Sequence, residues 1–155
     1  MIFRTHLALG FLIALFVVIL FKPNMPIIFL TLTTLFSALP DIDHPKSNYG
    51  RMFPVISWPI SLIFKHRGFF HSIFPPTIGF LILNYYNFTF IAWAILIGYL
   101  AHLIGDAITI EGINFLHPFS TFHIKGPLRT GAILETLLFY IIFALDVFYA
   151  LNYFL

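Results

Sequence analysis

Residues 71–106 read HSIFPPTIGFLILNYYNFTFIAWAILIGYLAHLIGD, with no Lys, Arg, Asp or Glu before Asp106. As one helix this run would be on the order of 50 Å long at 1.5 Å per residue. The hydrocarbon core of a bilayer is only about 30 Å thick. Asn84-Tyr85-Tyr86-Asn87 interrupts the run and divides it into two helices, about Phe69–Leu83 and about Phe88–Asp106. Pro75 and Pro76 fall in the first turns of the earlier helix or kink it.

Outward from this pair the pattern repeats. Thr5–Phe21 is apolar, follows Arg4 and is closed by Lys22-Pro23-Asn24. It is similar to a secretory leader, but no small-residue cleavage site follows, so it reads as retained. Met25–Pro40 is a shorter span and Ala132–Leu151 a full one. Val55–Phe64, broken by Pro54 and Pro59, is too short to cross and reads as interfacial or re-entrant. The predicted fold is an all-α polytopic membrane bundle of about five transmembrane helices, in one domain, residues 1–155.

Composition agrees. The chain is 60% hydrophobic and 9% charged, with a mean hydropathy of +0.97. An average soluble domain is about 45–50% apolar and about 25% charged. A soluble enzyme, a disordered chain and a coiled coil are therefore excluded. The absence of cysteine removes disulfides and thiolate metal sites. A net charge of +2 on few residues is no footprint for nucleic acid.

The charges also predict an orientation. Arg4, Lys46, Arg51, Lys65, Arg67, Lys125 and Arg129 fall on one side of the five-helix reading, and only Lys22 on the other. The positive-inside rule makes the first side cytoplasmic, with the N-terminus inside and the C-terminus outside. All seven histidines (His6, His44, His66, His71, His102, His117 and His123) fall at or near that side, as do Asp41, Asp43, Asp106, Glu111 and Glu135.

Leu39-Pro40-Asp41-Ile42-Asp43-His44 supplies two carboxylates and an imidazole, a set suited to a divalent ion or simply to a polar cap. In His66-Arg67-Gly68-Phe69-Phe70-His71-Ser72, an interfacial aromatic and basic belt accounts for Lys65 and Arg67 but poorly for His71, at the edge of the apolar run. Arg67 suits a phosphate or carboxylate through its planar fork. His102 and Asp106 are spaced i, i+4 and share one helix face. Either they serve one ion or they cap a helix end, but an ionisable pair inside a span marks a site. His6 and Glu135 open their helices on the same side. Glu111, His117 and His123 read as solvated loop residues, Asp146 as outside the site, and Trp58, Trp93 and the tyrosines as interface anchors.

Taken in order, Leu-Pro-Asp-Ile-Asp-His (39–44), His-Arg-Gly-Phe-Phe-His-Ser (66–72) and Gly-Tyr-Leu-Ala-His-Leu-Ile-Gly-Asp (98–106) resemble the membrane-bound metal-dependent hydrolases of the YdjM type. Thr5-His6, Thr109, Gly112 and Pro118 also fit. The resemblance implies metal or catalytic roles for Asp41, Asp43, His44, His66, His71, His102, Asp106 and His6. It groups the chain remotely with zinc-dependent phospholipase C and P1-type nucleases, which implies phosphoester cleavage. Phe70 stands where that family commonly has Thr.

The expectation is a metal-dependent hydrolase acting on lipid or lipid-linked phosphoesters at the cytoplasmic face. Its metal ligands are Asp41, Asp43, His71, His102 and Asp106, with His6. His66 is a ligand or general acid, Arg67 a phosphate clamp, and His44 a further catalytic group. Zinc leads, with manganese and iron also suited. The alternative is a non-enzymatic protein that transports, stores or senses the ion; a transporter should carry ionisable groups near the bilayer midplane.

Overall fold

The computed structural model describes residues 1–64 and 66–155. Lys65, counted above among the basic residues, lies outside the described residues. Among the described residues seven helices follow in order: α1 (Phe3–Phe21), α2 (Pro26–Phe36), α3 (Asn48–Met52), α4 (Pro54–Ile63), α5 (Phe74–Tyr85), α6 (Thr89–Ala107) and α7 (Ile133–Phe154). Short 3-10 turns at Leu39–Asp43 and Phe69–His71 precede α3 and α5. The chain is all-α, as its patterning predicts. Among the described residues extended pairing is limited to two isolated bridges, Thr109–Leu128 and Ile113–Ile124.

Among the described residues four segments are long and apolar enough to cross a membrane: Phe3–Phe21, Pro26–Asp43, Thr89–Ala107 and Ile133–Phe154. The remaining expected span, Phe69–Leu83, divides differently. Its start is the 3-10 turn, and the helix proper is the 12 residues of α5, about 18 Å long. Pro75 and Pro76 account for this. Proline is accommodated in a first helical turn, where its missing N–H has no intrahelical partner, and not further in. Pro54 works in the same way, starting α4 rather than breaking it, while Pro59 lies inside that helix. Val55–Phe64 is thus helical almost throughout.

α6 is the central helix, packed against α1, α2 and α5, while α7 lies on α1. Between α1, α2 and α6 sits an apolar core of Ala14, Leu15, Val18, Phe29, Leu30 and Ala94. Small residues let α6 approach closely, as is common between membrane helices. A Cβ at Gly98 would strike the Thr33 carbonyl oxygen of α2, and one at Gly105 would lie 3.1 Å from His6 Nδ1. The second close approach admits an imidazole from α1 beside the last turns of α6. The starts of α1, α5 and α7 and the ends of α2 and α6 gather at one end of the bundle, and the polar residues meet there.

Candidate metal centre

Five chain segments deliver side chains to this end. α6 presents His102 and Asp106 one turn apart, both fully buried. His6, in the first turns of α1, stacks flat on His102 with ring centroids 3.8 Å apart. The 3-10 turn after α2 carries Asp41 and Asp43, and the turn before α5 ends on His71. Glu135, in the first turn of α7, accepts from the backbone N–H of Ile2 at 2.6 Å and of Gly131 at 2.6 Å. It thereby ties α7 to the start of the helix that bears His6.

At the centre, His71 Nε2 and His102 Nε2 lie 3.2 Å apart. Asp41 Oδ1 is 3.6 Å from the first and 3.7 Å from the second. Asp106 Oδ2 is likewise 3.6 Å and 3.7 Å from them. Two ligands on one tetrahedral ion, each bonded at about 2.0–2.2 Å, are separated by about 3.3–3.6 Å. The observed spacings are therefore close to those of a shared ion.

The ring orientations fit the same reading. His102 Nδ1 is 2.8 Å from the Ser37 carbonyl oxygen, which only accepts, so Nδ1 carries the proton and Nε2 offers a lone pair. His71 Nδ1 faces Asp43 Oδ2 at 3.2 Å, the carboxylate–histidine arrangement that backs many metal ligands. The same carboxylates favour protonation of His71: burial opposes it, but Asp41 and Asp43 beside the ring prevail and raise its pKa to about 9. A cation bound by both Nε2 atoms would displace that proton. His6 adds two buried ring nitrogens without hydrogen-bond partners, one of them 3.4 Å from Asp106 Oδ1. Two imidazoles and two carboxylates, with a third imidazole alongside, form a donor set suited to zinc, manganese or iron.

The other expected residues form an outer layer. Asp43 has a fully buried side chain and joins two histidines, since its Oδ1 also meets His66 Nδ1 at 2.7 Å. His66 is partly exposed and stacks on His44, with centroids 4.7 Å apart. Burial and the neighbouring His66 lower the pKa of His44. Arg67 takes a left-handed backbone, φ 61°, uncommon for a residue with a Cβ. Its Nη2 lies 3.3 Å from Asp106 Oδ1 and its Nη1 3.8 Å from Glu111 Oε2. The α-amino group of Met1 is 2.5 Å from the same Asp106 oxygen. Groups within ligand reach of one another are His6–Asp41–His102, Asp43–His66–His71 and His71–His102–Asp106. His44, His117 and His123 belong to none of these.

One reading of the sequence needs correction. Tyr99 is not an interface anchor. It is buried and its hydroxyl donates to the Phe70 carbonyl at 2.5 Å, which fixes the turn that carries His71. Ser37 gave no signal in the sequence, yet its carbonyl orients His102 and its hydroxyl donates to the His6 carbonyl at 2.9 Å.

Apolar helices of membrane length enclosing a buried His/Asp cluster at one end define an integral membrane protein with a candidate metal centre. The chain belongs to the YdjM inner membrane protein family, whose model matches residues 1–153. It is 41% identical over 102 residues to the uncharacterized protein YvsG of Bacillus subtilis (strain 168), a match covering 64% of this chain and 63% of that one. It is 39% identical over 88 residues to the inner membrane protein YdjM of Escherichia coli (strain K12), covering 52% of this chain and 44% of that one. The inner membrane protein YdjM of Shigella flexneri matches to the same extent. The chain thus spans less than two thirds of the length of each of these relatives. No solved structure matches it.

Proposed function

We propose that the cluster is the centre of a metal-dependent hydrolase acting on lipid or lipid-linked phosphoesters at the cytoplasmic face of the membrane. The observation that carries this reading is the pair of Nε2 atoms 3.2 Å apart, with Asp41 and Asp106 each in reach of both. His71, His102, Asp41 and Asp106 would hold the ion. Such an ion supplies Lewis acidity, making water a nucleophile near neutral pH and polarising a phosphoryl oxygen. Asp41 is the accessible member, with a side chain 20% exposed against 2% or less for the other three, so water and ligand enter from its side. Four protein donors close a tetrahedral zinc site. Asp41, as the exposed member, is the donor that would give way to an incoming water. Arg67 stands beside Asp106 to bind a phosphoryl oxygen, and His66, at the surface end of the Asp43 link, to move a proton.

The test is incubation of the detergent-purified protein with zinc or manganese and a panel of phospholipids and polyprenyl phosphates. Release of a headgroup or of phosphate, abolished by a chelator, is the expected outcome. Bound metal without turnover would favour ion transport or sensing. One observation speaks for that alternative: Asp146 is buried within α7, and its Oδ1 has no hydrogen-bond partner, an unusual cost inside a span.

The cytoplasmic placement rests on the basic residues that share the metal end. A reporter fused at the C-terminus is expected to read outside and one inserted at Lys46 inside. A C-terminal reporter that reads inside would mean an even number of crossings and overturn the five-span arrangement, with α7, which starts at the metal end, then the segment that does not cross.

A further inference from the structure

We propose that α4 and the tip of the 116–122 loop are immersed in the leaflet on either side of the His71 turn, so that the centre takes its ligand sideways from the membrane as an anionic amphiphile. This rests on the hydrolase reading for what happens to that ligand, but not for the immersion itself.

Two apolar elements outside the membrane-length helices flank the metal centre. From Phe53 to Phe64 the chain carries no charged residue. α4, which fills most of this stretch, buries only Ser57, while Val55, Trp58 and Leu62 are 84%, 65% and 75% exposed. A helix apolar all round and uncovered by protein belongs in lipid. It is about 15 Å long, half of a hydrocarbon core of about 30 Å. It packs on the Leu39–Asp43 turn at the end of the second span, which fixes it at membrane level. On the other side Phe119 and Phe122 are 82% and 70% exposed.

Both elements are tied to the segment that bears His71. Phe64, at the end of α4, packs on Phe69 and Phe70 with centroids 5.6 and 5.3 Å away. Phe119 packs edge-on against Phe74 at 5.2 Å, and the N–H of Ile73 donates to the Phe115 carbonyl at 3.0 Å. Between the two apolar elements in the chain, His66 and Arg67 reach the cluster while remaining partly exposed, His66 on Asp43 at 2.7 Å and Arg67 on Asp106 at 3.3 Å. This cationic and polar strip, bounded by lipid-facing aromatics, suits a molecule with an anionic head and a hydrocarbon body. Apolar elements with nearby basic residues bind an anionic lipid surface by the same combination.

Trp58 provides a direct probe, since the only other tryptophan is Trp93. The Trp93→Phe protein is reconstituted in dioleoylphosphatidylcholine vesicles and in vesicles whose acyl chains are brominated. Most of the Trp58 emission is expected to be lost in the brominated vesicles, more with bromines near the headgroup than near the chain ends, and acrylamide should quench it weakly. Emission untouched by brominated lipid overturns the proposal, whether α4 then faces water and is open to acrylamide or faces a protein partner and is shielded from both. Because the chain has no cysteine, Phe119→Cys and Val55→Cys give an independent measurement. Both should react slowly with a membrane-impermeant maleimide in vesicles whose metal end faces outward, and rapidly after solubilisation. Equal rates in the two states count against immersion. Quenching without hydrolysis leaves immersion standing and removes only the hydrolase reading; hydrolysis with an unquenched Trp58 does the reverse.

Discussion

Purified His71→Ala and His102→Ala proteins are expected to retain no stoichiometric divalent metal under conditions in which the parent protein does, as measured by elemental mass spectrometry. Each substitution removes one of two Nε2 atoms that face each other at 3.2 Å and share both carboxylates. With one gone, a single imidazole remains in the ring, and the loss falls directly on the ion. Thermal stability gives a second readout. A ligand that binds only the folded state stabilises it by about 2.7 kcal/mol at a free concentration of 100 Kd. The parent should gain that increment on metal addition and the variants should not. The increments are compared rather than the absolute stabilities, because removing a buried imidazole perturbs the metal-independent fold as well. His117→Ala and His123→Ala should bind metal and gain stability as the parent does, since neither ring reaches the cluster. Full metal content in both His71→Ala and His102→Ala would sink the shared-ion reading and leave His102–Asp106 as a capped helix end.

Much of this arrangement is legible in the sequence for physical reasons. Lipid forbids unpaired ionisable groups, so the apolar runs mark the helices and the histidines and aspartates gather at their ends. The i, i+4 spacing of His102 and Asp106 needs only helical periodicity. The parts that escape reading depend on geometry without periodicity. Asp41 and Asp43 look alike in a linear motif. Inside a 3-10 turn they point to different sides of His71, one to Nε2 and the other to Nδ1. The contribution of Ser37 to His102 is a backbone carbonyl, which every residue possesses, so no residue type announces it. Tyr99 is hidden among the abundant aromatics of a membrane chain, and only its burial separates it from Tyr85 and Tyr86, which are exposed. The length of α5 turned on which helical position the two prolines occupy, and a sequence pattern fixes helix starts only loosely.

Asp43→Asn separates the inner ring from its support. Asp43 has no exposed side-chain surface, and its oxygens are divided between two rings, Oδ1 at 2.7 Å from His66 Nδ1 and Oδ2 at 3.2 Å from His71 Nδ1. An asparagine amide has one accepting oxygen and one donating nitrogen, so it cannot accept from both. If its NH2 faces His71, that ring must move its proton to Nε2 and stops offering a lone pair to the ion. If its oxygen faces His71, the partly exposed His66 turns to water, and His71 loses the anionic neighbour that raises its basicity. Either way metal affinity should fall by about 10–100-fold, the usual cost of losing a carboxylate behind a ligating histidine. Stoichiometry at saturating metal should be preserved. A chelator-competition titration reads both quantities. Asp41→Asn is the contrasting variant, because Asp41 Oδ1 reaches both Nε2 atoms, and its loss should lower the metal content itself. Should Asp43→Asn instead lose its metal as completely as His71→Ala, Asp43 is a direct ligand, and the ion then sits on the Asp43–His66–His71 side of the cluster. Unchanged affinity would remove Asp43 from the centre altogether and leave His71 oriented by the turn that Tyr99 holds.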